Sequence, residues 1–99
     1  MDDITIKYGQ CVIWIWHGAN LTDIGITKFK KLIRLAKSGI DNDPEKIKHC
    51  MLEMLEREHY ETEAMYNSRS VYGKKNHMYF GNKLKKIDRY REVVSTWNT

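Results

Sequence analysis

Apolar and polar positions alternate over residues 4–8 and residues 11–16 form a short apolar run, whereas from residue 26 onward apolar positions recur every three or four, and this change of period sets the expected fold. Residues 4–8 and 11–16 read as two strands joined at Gly9-Gln10, a dipeptide that suits a two-residue turn with glycine at its first central position. With Tyr8 opposite Cys11, one face of the hairpin collects Ile4, Ile6, Tyr8, Cys11, Ile13 and Ile15, and the other carries Thr5, Lys7, Val12, Trp14 and Trp16. A slip of one residue would mix the two sets, so the register supports the hairpin.

The helical period then takes over. Thr22 reads as an N-cap with Leu21 and Ile26 as a hydrophobic staple, and Ile26, Phe29, Leu32, Ile33 and Ala36 form the apolar stripe of a first helix that Ser38-Gly39 ends. Asp43-Pro44 starts a second helix, whose stripe of Ile47, Cys50, Met51, Met54, Leu55, Thr62 and Met65 continues for some twenty residues, or about 30 Å at 1.5 Å each. Glu58 falls on that stripe, so its carboxylate must find a partner or the helix must bend. Between Asn67 and Asn82 the period is lost, and the expectation is a basic and aromatic loop or a short second hairpin, with 70–72 paired to 77–80. Asn82 then caps a last helix with Leu84, Ile87, Tyr90, Val94 and Trp97 on one side. The expected architecture is therefore α+β: one small domain over residues 1–99, with an N-terminal two-stranded antiparallel hairpin packed on about three helices.

Composition narrows the class without naming a chemistry. The 99 residues are 41% hydrophobic, enough for one core and too apolar for a disordered polyelectrolyte. The longest apolar run, residues 11–16, is too short to cross a bilayer, and the acidic start Met1-Asp2-Asp3 does not resemble a secretory signal, so a cytoplasmic protein without a membrane is expected. Cys11 and Cys50 form no Cys-x-x-Cys pair, and the expectation is two buried free thiols rather than a zinc site or a disulfide scaffold. Abundant Lys, Ile, Asn, Tyr and Phe fit an AT-rich genome of the kind that low-GC bacteria and their phages carry.

Charge is segregated more sharply than the net value of +4 suggests. Lys30, Lys31, Arg34 and Lys37 make a basic face on the first helix, while Glu45, His49, Glu53, Glu56 and Glu63 make an acidic ridge on the second. Arg69, Tyr72, Lys74, Lys75, His77, Tyr79 and Phe80 interleave cations with rings. Cations neutralise phosphates and rings stack on unpaired bases, so the leading expectation is a small, basic, non-enzymatic module that binds a polyanion, either nucleic acid or a nucleoprotein complex. Its contacts would be Lys30, Lys31, Arg34, Lys37, Arg69, Tyr72, Lys74, Lys75 and Tyr79. The alternative is a protein-protein inhibitor or adaptor using the Trp14 and Trp16 face, or Glu53 and Glu56 on the acidic ridge. Given the AT-rich bias, that would be a phage-encoded inhibitor of a host protein or complex, such as a defence system; the same tryptophan face could also serve as a homodimer seam.

No cofactor or metal is expected. Glu56-x-x-His59 lacks the second such pair that a di-iron bundle uses, the Glu45, His49 and Glu53 trio reads as a solvated helix face, and Gly73-Lys74-Lys75-Asn76 lacks the upstream glycine of a phosphate loop. One enzymatic alternative remains, a small metal-independent RNase using His17, His77 and Arg69 as acid, base and phosphate clamp.

Overall fold

The computed structural model describes residues 6–39, 43–68 and 73–97, with residues 73–76 described by backbone alone. Four helices succeed one another, α1 (Tyr8–Trp16), α2 (Ile26–Lys37), α3 (Pro44–Asn67) and α4 (Gly73–Ser95), with a 3₁₀ turn at Leu21–Asp23 between the first two. No strand occurs among the described residues, so the α+β expectation is overturned: the fold is all-helical.

The N-terminal hairpin is the main correction. The apolar run from Cys11 to Trp16 satisfies two periods at once, and Cys11, Trp14 and Ile15 also stand at the i, i+3, i+4 spacing of a helix face. A two-stranded ribbon alone is marginal in water, whereas a helix satisfies its own backbone and can lay that face on α3. Lys7 N–H donates to Gln10 Oε1 at 3.4 Å, and Cys11 N–H to Lys7 O at 2.9 Å, closing the first turn. The thiol expectation is overturned too, because Cys11 and Cys50 are joined in a disulfide with their Cα atoms 6.2 Å apart. The strand reading also turns Cys11 inward; what it lacks is the approach to Cys50 that the packing of α1 on α3 provides.

The remaining elements follow their sequence signals more closely. Asp43 caps α3 by accepting from Glu45 N–H at 3.0 Å, with Pro44 at the first helical position. Gly39, at φ +67°, follows α2 in the left-handed conformation that ends a helix. Thr22, by contrast, does not cap α2; the chain first makes the 3₁₀ turn, and α2 starts from Gly25. The expected hairpin at 70–72 and 77–80 is also corrected: residues 70–72 lie outside the described residues, and 77–80 are helical, because α4 begins at Gly73 rather than at Asn82. Gly81 is placed where a Cβ would meet the Tyr66 ring at 3.1 Å, so this glycine permits close packing of α4 on α3 instead of ending a helix.

The long helices α3 and α4 form an antiparallel hairpin. Lys48 Nζ reaches Trp97 O at 2.8 Å near one end, Arg91 pairs with Glu56 at 2.8 Å in the middle, and the Tyr66 and His77 rings stack at 4.0 Å near the other. α1 runs along α3 in the same direction, with Tyr8 under Lys46 and Gly18 beside Arg57. α2 crosses to α4, where Phe29 packs on Tyr90 at 4.6 Å between ring centroids. One buried cluster links all four helices, running from Cys11 through Leu21, Phe29 and Leu32 to Met51, Met54, Leu55, Tyr90 and Val94. Among the described residues no helix is long and apolar enough to cross a membrane.

Glu58 finds the partners its position demanded. Its carboxylate, 1% exposed, accepts from Leu21 N–H at 3.1 Å and from the Thr22 hydroxyl. The neighbouring Arg57 donates to Ala19 O and, at 3.3 Å, to Asn20 Oδ1. Two charged side chains of α3 thus fix the joint between α1 and α2, and with it the direction in which α2 crosses α4.

Candidate polyanion-binding face

Because α2 is directed across α4, the two helices enclose a trough, and its walls are cationic. Thr27, Lys30, Ile33 and Arg34 of α2 with Val93 and Thr96 of α4 line a cavity of about 540 Å³. Gly25 and Ile26 with Lys85, Lys86, Arg89 and Tyr90 line a second of about 390 Å³. Thr22 and Asp23 with Tyr79, Asn82, Lys83 and Lys86 line a third of about 220 Å³. On α4 these linings include Asn82, Lys86, Arg89, Val93 and Thr96, steps of three and four that trace one stripe down the helix, so the cavities form a single row.

Six cations border that row: Lys30 and Arg34 from α2, and Lys83, Lys85, Lys86 and Arg89 from α4. One carboxylate, Asp23, lines it as well. No salt bridge reaches any of the six among the described residues. The acidic ridge of α3 is engaged elsewhere: Glu53 pairs with His49 at 3.0 Å, and Glu56 takes a two-pronged contact from Arg91 at 2.8 and 3.1 Å. Between the cations Ile26 and Val93 are half-buried, and Ile33 and Tyr90 are buried beneath, with the Lys86 ammonium 5.9 Å from the Tyr90 ring centre. Burial raises the Tyr90 phenol above its ordinary 10.0, against a lowering by Arg89 and with a smaller rise from Glu58, so it stays neutral and donates to Ile24 O.

The residues named from sequence are only partly brought together. Lys30 and Arg34 line the trough, and Tyr79 lies at its far end, 59% exposed with its ring edge-on to Phe80 at 5.2 Å. Lys31 and Lys37 are exposed on α2, Lys31 with an interaction of its own. Lys74 and Lys75 fall in the first turn of α4, while Arg69 and Tyr72 lie outside the described residues. The cations that border the same trough as Lys30 and Arg34 are instead those of residues 83–89, which the sequence reading did not single out. The missed signal was the spacing of Tyr79, Asn82, Lys86 and Arg89, which share a helix face only once the helix is known to start before residue 79.

The tryptophan face does not exist as expected. On a helix, side chains two apart point about 200° from one another, and so Trp14 is half-buried against the core while Trp16 is 85% exposed beside Val12 and Ile13. The histidines of the RNase alternative are separated as well. His17 precedes Gly18 at the level of Arg57 and His77 stacks on Tyr66, levels nine residues or about 13 Å apart on α3. Among the described residues no three His, Cys, Asp or Glu side chains gather as metal ligands. Comparison with known proteins finds no matching family model, no matching curated protein and no matching solved structure, so the functional argument rests on the chemistry of this trough.

Proposed function

We propose that the chain is a non-enzymatic binding module whose α2–α4 trough engages a polyanion, nucleic acid or a nucleoprotein complex. The observation that carries the reading is the convergence of Lys30 and Arg34 with Lys83, Lys85, Lys86 and Arg89 on one recess without salt bridges to them. Cations that border one recess without carboxylate partners repel one another, and an anionic ligand relieves that repulsion while releasing its own counterions. The reading implies a cytoplasmic location, where the reducing thiol pool would work against the Cys11–Cys50 bond.

Binding of a fluorescent oligonucleotide, titrated between 50 and 300 mM salt, tests this directly. With up to six phosphates neutralised, affinity should fall with a log-log slope of about −4 to −5. The double substitution Arg34→Glu with Arg89→Glu should weaken binding at least about a hundredfold at low salt. Lys46→Glu, beside Tyr8 on the far side of α3, should cost less than about threefold because its charge is screened over that distance. Equal losses from both variants would overturn the reading.

A second reading, capture of a protein partner, is favoured by one observation: Trp16, Val12 and Ile13 form an exposed apolar stripe on α1. A large indole is a common anchor at protein interfaces. An inhibitor acting this way should lose its partner on Trp16→Ala and keep it on Arg89→Glu.

A further inference from the structure

The trough has features that a generic cationic patch lacks, and they bear on the form of polyanion it fits. A duplex presents phosphates and sugars outward, which a convex or flat basic surface satisfies and an apolar recess does not. Here the part-exposed apolar surface between the cations is that of Ile26 and Val93, while the buried Tyr90 ring lies beneath the Lys86 ammonium at 5.9 Å. Such apolar surface gains nothing from a charged backbone and gains from the apolar faces of unpaired bases.

The far end supplies an aromatic surface. Tyr79 is 59% exposed, with the Phe80 ring edge-on to it at 5.2 Å, so ring surface is open to a stacking base. It shares its cavity with Lys83 and Lys86, which puts a stacking surface and two phosphate partners within about two turns of helix. From Tyr79 to Thr96 the stripe spans seventeen residues of α4, about 25 Å. At 3.4 Å or more between successive phosphates, that accommodates about four to seven nucleotides, within the range one small domain covers on a single strand.

Building on the polyanion reading, we propose that the trough takes a single strand of nucleic acid, with an unpaired base stacked on Tyr79 and successive phosphates held by Lys83, Lys86, Arg89, Lys30 and Arg34. The shared chemistry is a sugar-phosphate backbone with accessible bases, which DNA and RNA both supply.

Fluorescence anisotropy with the whole chain tests this using three probes of twelve nucleotides: oligo-dT, oligo-U and a mixed-sequence DNA duplex. The single strands should bind at least about tenfold more tightly than the duplex, with a salt slope near −4, and the better of the two strands identifies the natural form. Tyr79→Ala should weaken single-strand binding by about five- to hundredfold and leave duplex binding and the salt slope unchanged, while Tyr79→Phe keeps affinity within about threefold. Far-UV circular dichroism of both variants should match the parent, since the ring is exposed. A duplex that binds as tightly as the strands, or a Tyr79→Ala variant that binds strands normally, overturns the single-strand inference while the polyanion reading stands on Arg34→Glu with Arg89→Glu. Absence of binding to all three probes at 50 mM salt overturns both.

Discussion

Helices α1 and α2 are laid against the same long hairpin, yet they are held by different means and turn different chemistry outward. α2 buries Phe29, Leu32, Ile33 and Ala36, a continuous stripe whose apolar area is its own reason to dock, and leaves cations on the outside. α1 fully buries only Cys11, half-buries Trp14 and Ile15, and leaves Val12, Ile13 and Trp16 in water. The difference teaches that α2 is attached by a fully buried stripe, and α1 by a half-buried one reinforced by a covalent bond. It also separates two functional faces: a charged trough that α2 helps to build and an apolar stripe that α1 displays.

The largest expected effect comes from breaking that bond. The disulfide spans a sequence separation of 39, and the chain-entropy account gives such a crosslink about 4 kcal/mol. Reduction should lower unfolding stability by up to that amount, and native-state hydrogen exchange should show why. Amides of α1 should lose protection well before those of α2, since α2 keeps its buried stripe. Equal losses in both helices would mean that α1 is held by packing as α2 is and that the contrast is false.

A smaller effect is expected at the joint between the two helices. Glu58→Ala removes the acceptor of Leu21 N–H and the Thr22 hydroxyl in a site that excludes water, at a cost of about 3 kcal/mol. Glu58→Gln should recover most of it, because the amide oxygen still accepts from Leu21 N–H and the Thr22 hydroxyl can turn to accept from the amide nitrogen. Urea denaturation of the two variants measures the gap. If Glu58→Ala is as stable as Glu58→Gln, the Arg57 contacts to Ala19 and Asn20 hold the joint by themselves.

What could be read from the sequence follows the same division. The stripes of α2 and α3, the Asp43-Pro44 cap and the Gly39 stop are local signals, and local signals survive folding. The problem posed by Glu58 was also visible, since a carboxylate on an apolar stripe needs a partner wherever the chain goes. α1 was misread because a run this densely apolar fits both periods, and what separates them is the packing of Cys11, Trp14 and Ile15 on a core built from distant residues. The start of α4 was misread because Gly73, Asn76 and Gly81 are poor helix formers, and the use of Gly81 is to let the Tyr66 ring approach, which only packing reveals. Half of the trough was missed for a related reason: Lys30 and Arg34 stood out as a basic face, but Lys83, Lys85, Lys86 and Arg89 become their neighbours only after α3 and α4 fold back and the Glu58 joint sets the course of α2.

The smallest effect is the most discriminating for α1 itself. On a strand, Trp14 and Trp16 would share a face and respond alike to substitution, whereas on α1 they point about 200° apart. Trp14→Ser should cost about 1 to 3 kcal/mol, because the indole is half-buried against the core and a serine leaves a void there. Trp16→Ser should change stability by less than about 0.5 kcal/mol, since 85% of that residue already faces water. It should also leave oligonucleotide affinity untouched, because Trp16 lines none of the three cavities. Thermal or urea denaturation of the pair therefore reports the periodicity of this segment directly: two equal losses would return it to a strand, and one loss beside one silent change keeps it a helix whose exposed indole is available to a partner.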